Sequence, residues 1–227
     1  MLLVRTVELF QILREKFLYS ILTDEWWHVE NGLDWPAPAT AVFERVVGAV
    51  LVQNTAWRNV QRAICNLNSF GLLDPKKFLE ADERLIVEHV RPAGFVTRKP
   101  KTLRSLAELL LTTNAEKQSD QELRTLLLRV KGVGPETADT IMLFVFNRKV
   151  FPASQPARRV INRFYNVSVN DDTLNKIPNQ IPNVSELKTF HALLVEFASN
   201  LCTKNKPKCA GCSIRGKCDL ARKMRTK

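Results

Sequence analysis

From Val42 onward, apolar residues recur three and four positions apart (Phe43, Val46, Val47, Val50), the period of one face of an α-helix. Gln53-Asn54 interrupts the pattern, which resumes as Trp57, Val60, Ile64 and Leu67. Two helices with a polar turn between them are expected. Thr55 is the expected N-cap of the second, because a hydroxyl just before a periodic run accepts an amide of the first turn. Leu103 to Leu111 predicts another helix, and Ser119-Asp120-Gln121-Glu122 ahead of Leu123, Leu126 and Leu127 has the form of a capping box. Leu187, Phe190, Leu194, Phe197 and Ala198 share one face of a final long helix over 187–201. No segment sustains a period of two, although 149–151 and 167–169 could be extended. The stretch 170–184 is rich in Asn and Pro and reads as a surface connection.

Composition narrows the class. The 227 residues, 45% hydrophobic and 25% charged, can build one large domain or two small ones, and only 8 glycines argue against a loop-rich all-β chain. Thirty-four Lys and Arg against 23 Asp and Glu leave a net charge of +11, which calls for a polyanionic partner, nucleic acid before anionic membrane. No stretch has the length of a membrane span, and the opening MLLVRTVELFQILREKF is too charged for a signal peptide. An intracellular protein without a membrane partner is expected.

Two constellations carry chemistry. In Arg129-Val130-Lys131-Gly132-Val133-Gly134-Pro135-Glu136-Thr137-Ala138-Asp139, a capped helix ends, glycines make a tight turn, and Pro135 stands where a new helix tolerates a missing N–H. Helix, hairpin, helix is the expected structure. Glycine lets backbone approach a ligand closely, and the amides of a helix start favour an anion. A plain αα-hairpin would have the same outline. The cations Arg129, Lys131, Arg148, Lys149, Arg158, Arg159 and Arg163, against Glu136 and Asp139, favour a phosphate clamp.

The second constellation is Cys202-x6-Cys209-x2-Cys212-x5-Cys218, in a segment (200–227) with nine Lys or Arg and one acid. Four thiolates so spaced can hold zinc or an iron–sulfur cluster. Structural zinc usually takes two close pairs, and only Cys209 and Cys212 form one, so the spacing favours a cluster over zinc or unligated thiols. Cys65, on an apolar helix, is expected in the core. His28, His89 and His191 lack ligand spacing.

The hairpin VKGVGPETAD, the segment QNTAW and the cysteine spacing together resemble the helix-hairpin-helix DNA glycosylases of the endonuclease III superfamily. The resemblance runs from about Asp34 to Cys218 and is closest to the endonuclease III-related and helical 3-methyladenine glycosylase branches. It implies an all-α, two-lobed fold: a six-helix barrel over 37–147, and a second lobe of 1–36 with 148–227 in which Cys202, Cys209, Cys212 and Cys218 hold a [4Fe-4S] cluster. Double-stranded DNA would lie across the cleft of a monomer, with a nucleotide flipped into a pocket.

The same resemblance assigns roles. Gln53, beside Asn54, matches the glutamine that fills the gap left by the flipped base. Lys131, Gly132, Val133 and Gly134 would grip phosphate, with Arg158 and Arg159 as further DNA contacts. Trp57 matches an aromatic of the base pocket, with Trp27, or else Trp26 or Trp35, as a partner for its other face. Arg91 to Phe95 with Arg98, Lys99 and Lys101 forms a basic turn, either a second phosphate contact or a solvated loop. Glu136 stands where bifunctional members carry the lysine that attacks the sugar, so lyase chemistry is not expected. Ser154 aligns with the aspartate that stabilises the cationic sugar, within an unusual segment FPASQPA. Either Glu136 or Asp139 replaces that charge in monofunctional excision, or the chain is a non-catalytic DNA binder. A zinc-bearing RNA-associated protein is a more distant third reading.

Overall fold

The computed structural model describes residues 2–21 and 39–223, and among them there is helix and no strand. The chain forms two compact units, Leu33–Arg148 and Met1–Gly32 together with Lys149–Lys227. No described helix is long and apolar enough to cross a membrane.

The middle unit holds α2 (Ala39–Leu51), α3 (Trp57–Ser69), α4 (Pro75–Glu80), α5 (Glu83–Val90), α6 (Arg98–Thr112), α7 (Asp120–Arg129) and α8 (Pro135–Phe144). Helix α2 is its centre and packs on α3, α6 and α8, because Val42, Phe43, Val46, Val47 and Val50 are all buried on it. Phe43 meets Phe78 of α4 edge to face, ring centroids 5.1 Å apart. The expected capping box of α7 is complete: the Ser119 N–H donates to Glu122 Oε2 (2.9 Å) and the Glu122 N–H to Ser119 Oγ (3.3 Å). Three expectations fail locally. The residue before α3 is Ala56, with no side-chain cap, and Thr55 Oγ1 instead accepts from Asn59 Nδ2 (3.2 Å). Cys65 is exposed, since the buried stripe of α3 is Val60, Ala63 and Leu67 and its position falls between these rows. Residues 149–151 and 167–169 form no strand. Asn166 ends its helix in the left-handed conformation, and Asn162 binds the amides of Val167 and Val169 that a strand partner would need.

The terminal unit contains α1 (Leu2–Ile21), α9 (Gln155–Tyr165), α10 (Asp171–Leu174), α11 (Val184–Asn200) and α12 (Asp219–Lys223). Helix α11 packs on α1 and α9, with Phe190 against Phe10 and Phe197 against Phe17, centroids 5.3 and 5.1 Å apart. Pro156 sits in the first turn of α9, where no amide bond is lost.

Candidate nucleic-acid interface

The hairpin between α7 and α8 is a four-residue turn closed by the Val133 N–H on Val130 O (3.0 Å). Its third residue, Gly132, has φ +98°, which L side chains rarely adopt, and a Cβ there would lie 2.2 Å from Thr102 Oγ1. Thr102 Oγ1 donates to Lys131 O (2.9 Å), so α6 holds the turn from beneath. Val133 turns its side chain inward, whereas Lys131 and Arg129 are exposed. Gly134 precedes Pro135 at the start of α8 and supplies no side chain to cap it, and a Cβ at Gly134 would meet nothing within 4 Å.

The Gln53 side chain folds onto this hairpin. Its Nε2 donates to Thr137 Oγ1 (2.9 Å) and Gly132 O (3.3 Å). Asn54 is exposed in the turn, in the left-handed conformation at φ +55°. Trp57 is half-buried at the first position of α3. Trp27, with its alternatives Trp26 and Trp35, lies outside the described residues, as does His28.

Lys99 stands apart from its basic turn. It is 4% exposed, and its Nζ donates to Leu51 O (2.8 Å), Gln53 O (2.9 Å) and Ala93 O (2.9 Å). Burial pushes the ammonium down to about 8, and three carbonyls take its three protons. It is therefore an internal staple between the turn after α2 and the 3-10 turn Arg91–Ala93, while Arg91, Arg98 and Lys101 are exposed. Arg148 is also turned inward, donating to Ala115 O and Gln118 O (3.0 Å each) rather than joining the hairpin's cations.

Of the acids, Asp139 is 6% exposed and bonded by both oxygens to Arg124, through Nε (2.7 Å) and Nη2 (3.3 Å). That hydrogen-bonded carboxylate raises the Arg124 guanidinium above its ordinary value. Glu136 is exposed in the first turn of α8. Ser154, in the terminal unit, is 3% exposed, caps α9 by accepting the Ala157 N–H (3.3 Å), and lies 3.1 Å from His191 Nε2. Burial pushes His191 down to about 3, so it is neutral. Sequence reasoning missed this histidine, because only the register of α11 against α9 brings it to Ser154.

Arg158 donates to Val169 O (2.7 Å) and pairs with Asp171. Arg159 donates to Cys202 O (3.0 Å) and Ala198 O (3.2 Å), and Arg163 to Thr203 O and Lys204 O (2.7 Å each), with Nη1 3.5 Å from Cys202 Sγ. These guanidiniums are committed to the protein's own carbonyls. Cys202, Cys209, Cys212 and Cys218 all line one cavity, about 410 Å³ of atom-free space, floored by Val160, Phe164 and Phe197. Burial pushes the Cys212 and Cys218 thiols up, with a smaller push from the neighbouring Cys202 and Cys209. No three His, Cys, Asp or Glu among the described residues converge to hold one ion.

This architecture has known relatives. Residues 47–183 match the model of the HhH-GPD superfamily base excision DNA repair proteins. A putative DNA repair glycosylase of Methanocaldococcus jannaschii is 37% identical over 212 residues, which cover 88% of this chain and 94% of that one. Endonuclease III of Sulfolobus acidocaldarius is 29% identical over 181 residues, 78% of this chain and 81% of the relative. Among solved structures, the 3-methyladenine DNA glycosylase of H. pylori bound to 1,N6-ethenoadenine has a TM-score of 0.70 at 23% identity, covering 86% of this chain and 97% of that one. A trapped endonuclease III–DNA covalent intermediate has 0.66 at 18% identity, covering 94% and 99%. An all-helical chain with this hairpin, a homologue of DNA-repair glycosylases along nearly its whole length, belongs to the HhH-GPD superfamily of base excision DNA repair proteins.

Proposed function

We propose that this protein binds damaged or distorted duplex DNA through the Lys131–Gly134 hairpin and the Gln53-Asn54 turn, and that its own base excision is weak or absent. The observation that carries this reading is the state of Ser154. Where the family's aspartate would oppose a cationic sugar there is a buried neutral hydroxyl, already engaged as the cap of α9 and by a neutral His191. A hydroxyl cannot supply the missing negative charge. Asp139 is no substitute, since Arg124 holds both its oxygens. Arg158 and Arg159 serve here as internal braces, and the exposed cations Arg129 and Lys131 take the phosphate role. Exposed Glu136 at the start of α8 favours a second reading, monofunctional excision with that carboxylate in the aspartate's place. Neither reading includes a Schiff base, because no lysine occupies position 136.

The four cysteines fit a [4Fe-4S] cluster. All four line one cavity, their spacing gives only one close pair where structural zinc usually takes two, and Arg163 is placed to offset thiolate charge at Cys202. When bound, the cluster cross-links the loop from Cys202 to Cys218. A monomeric, intracellular protein completes the reading.

Lesion-bearing duplexes test it. Wild type should bind them with little base release, and Ser154→Asp should raise release on at least one, since aspartate caps a helix as well as serine does and leaves α9 intact. Rapid excision by wild type that survives Glu136→Gln overturns both assignments.

A further inference from the structure

An open groove of the middle unit, about 1020 Å³ of atom-free space, runs between α3 and the turn at Arg91–Ala93. Arg58 and Arg62, one helical turn apart on the exposed side of α3, face Arg91 across it, and Gln61 and Asn66 add carboxamides. Glu88 is the sole acid among its lining residues.

We propose that this groove is a second phosphodiester-binding surface, gripping the backbone of the same duplex beyond the hairpin's contact. The proposal rests on the DNA-binding reading above. Three features support it. Every cation in the groove is arginine, whose planar fork matches two phosphate oxygens at once. Several other arginines are spent internally: Arg45 donates to Phe144 O, Arg104 to Leu79 O, Arg148 to Ala115 O, Arg159 to Cys202 O. The guanidiniums of Arg58 and Arg91, by contrast, make no hydrogen bond or ion pair with the described residues, and Arg62 bonds only its helical neighbour Asn59. Finally, the groove is preformed and in register with the Gln53-Asn54 turn. Lys99 binds Leu51 O and Gln53 O just before α3 and Ala93 O at the end of the opposite wall, so one ammonium fixes both walls to that turn. A surface already held in its binding geometry loses little freedom when a strand enters it.

The test is the salt dependence of duplex binding by the full-length protein. Each phosphate contact contributes about 0.9 to the slope of log K against log salt, so Arg58→Gln/Arg62→Gln/Arg91→Gln should lower the wild-type slope by up to about 2.7. The matching triple lysine variant keeps the charge and should retain the slope. All three positions are exposed, so melting temperatures should stay near wild type. On a duplex shortened until only the hairpin's contact remains, wild type and glutamine variant should converge. An unchanged slope in the glutamine variant, with binding still weakened by Gly134→Asp, overturns the groove and leaves the DNA-binding reading standing. Wild type without salt-sensitive duplex binding overturns both.

Discussion

Gly132 and Gly134 stand two residues apart and are glycine for different reasons. At Gly132 the backbone is left-handed and the place of a Cβ is already occupied by Thr102 Oγ1. Two penalties meet there, conformational strain and the loss of the Thr102–Lys131 bond beneath the turn. Gly132→Ala should therefore destabilise the protein by about 1–3 kcal/mol. At Gly134 the φ of −95° is ordinary and the space beside it is empty, so Gly134→Ala should cost less than about 1 kcal/mol in the same denaturant titration. The contrast separates fold from function: in the proposed reading, what Gly134 would protect is access of a phosphate to the start of α8. Gly134→Asp should accordingly weaken duplex binding across sequences while leaving the denaturation midpoint nearly unchanged, since a carboxylate fits but repels. A large stability loss at Gly134, or none at Gly132, would reverse these roles.

At the scale of elements, buried or half-buried cations close the ends of helices and turns. Lys99, Arg45, Arg104, Arg148 and Arg159 each bind carbonyls that helix ends and turns leave unpaired, and charged donors make such bonds strong. The cysteine loop is the extreme case. Between Cys202 and Cys218 it has only two 3-10 turns, at Cys209–Gly211 and Arg215–Lys217, and Ile214 is its one buried apolar side chain. Arg159 and Arg163 hold its first residues, and in the cluster reading proposed above a bound cluster would hold the rest. Protein purified without oxygen should contain about four iron per chain with the colour of a [4Fe-4S] centre, and Cys212→Ser should lose both and open the loop to protease. Stoichiometric zinc without iron would sink the cluster assignment. Periodicity and spacing made the capping box, the hairpin and the cysteine set legible in the sequence, because each is encoded within about a dozen neighbouring residues. They could not show which cations turn inward. Arg148, Arg158 and Arg159 looked like hairpin or DNA contacts because their carbonyl partners are supplied by tertiary packing, and Lys99 was hidden in its basic turn for the same reason. Thr55 failed as a cap because the helix begins one residue later than the hydroxyl requires.

At the scale of the whole molecule, one buried histidine ties the stability of the terminal unit to acid. The terminal unit is built around α11, and His191 lies on that helix, 3% exposed, against Ser154 and the Phe151 ring at 5.5 Å. Its pKa is about 3 when folded and near 6.5 when unfolded, so between those values the unfolded chain holds more protons than the native one. Stability therefore rises with pH through this window, is complete above about 6.5, and is lost as pH falls, at up to about 1.4 kcal/mol per pH unit. In the middle unit the described histidine, His89, is 8% exposed and stacks on the exposed ring of Phe70, centroids 4.2 Å apart. Hydrogen exchange at pH 5 against pH 7 should show α1, α9 and α11 losing protection. His191→Asn, which retains a polar partner for Ser154 but cannot charge, should be less stable at neutral pH and should flatten the acid dependence of the terminal unit. An acid dependence of the terminal unit that is unchanged in His191→Asn would place the sensitive group elsewhere.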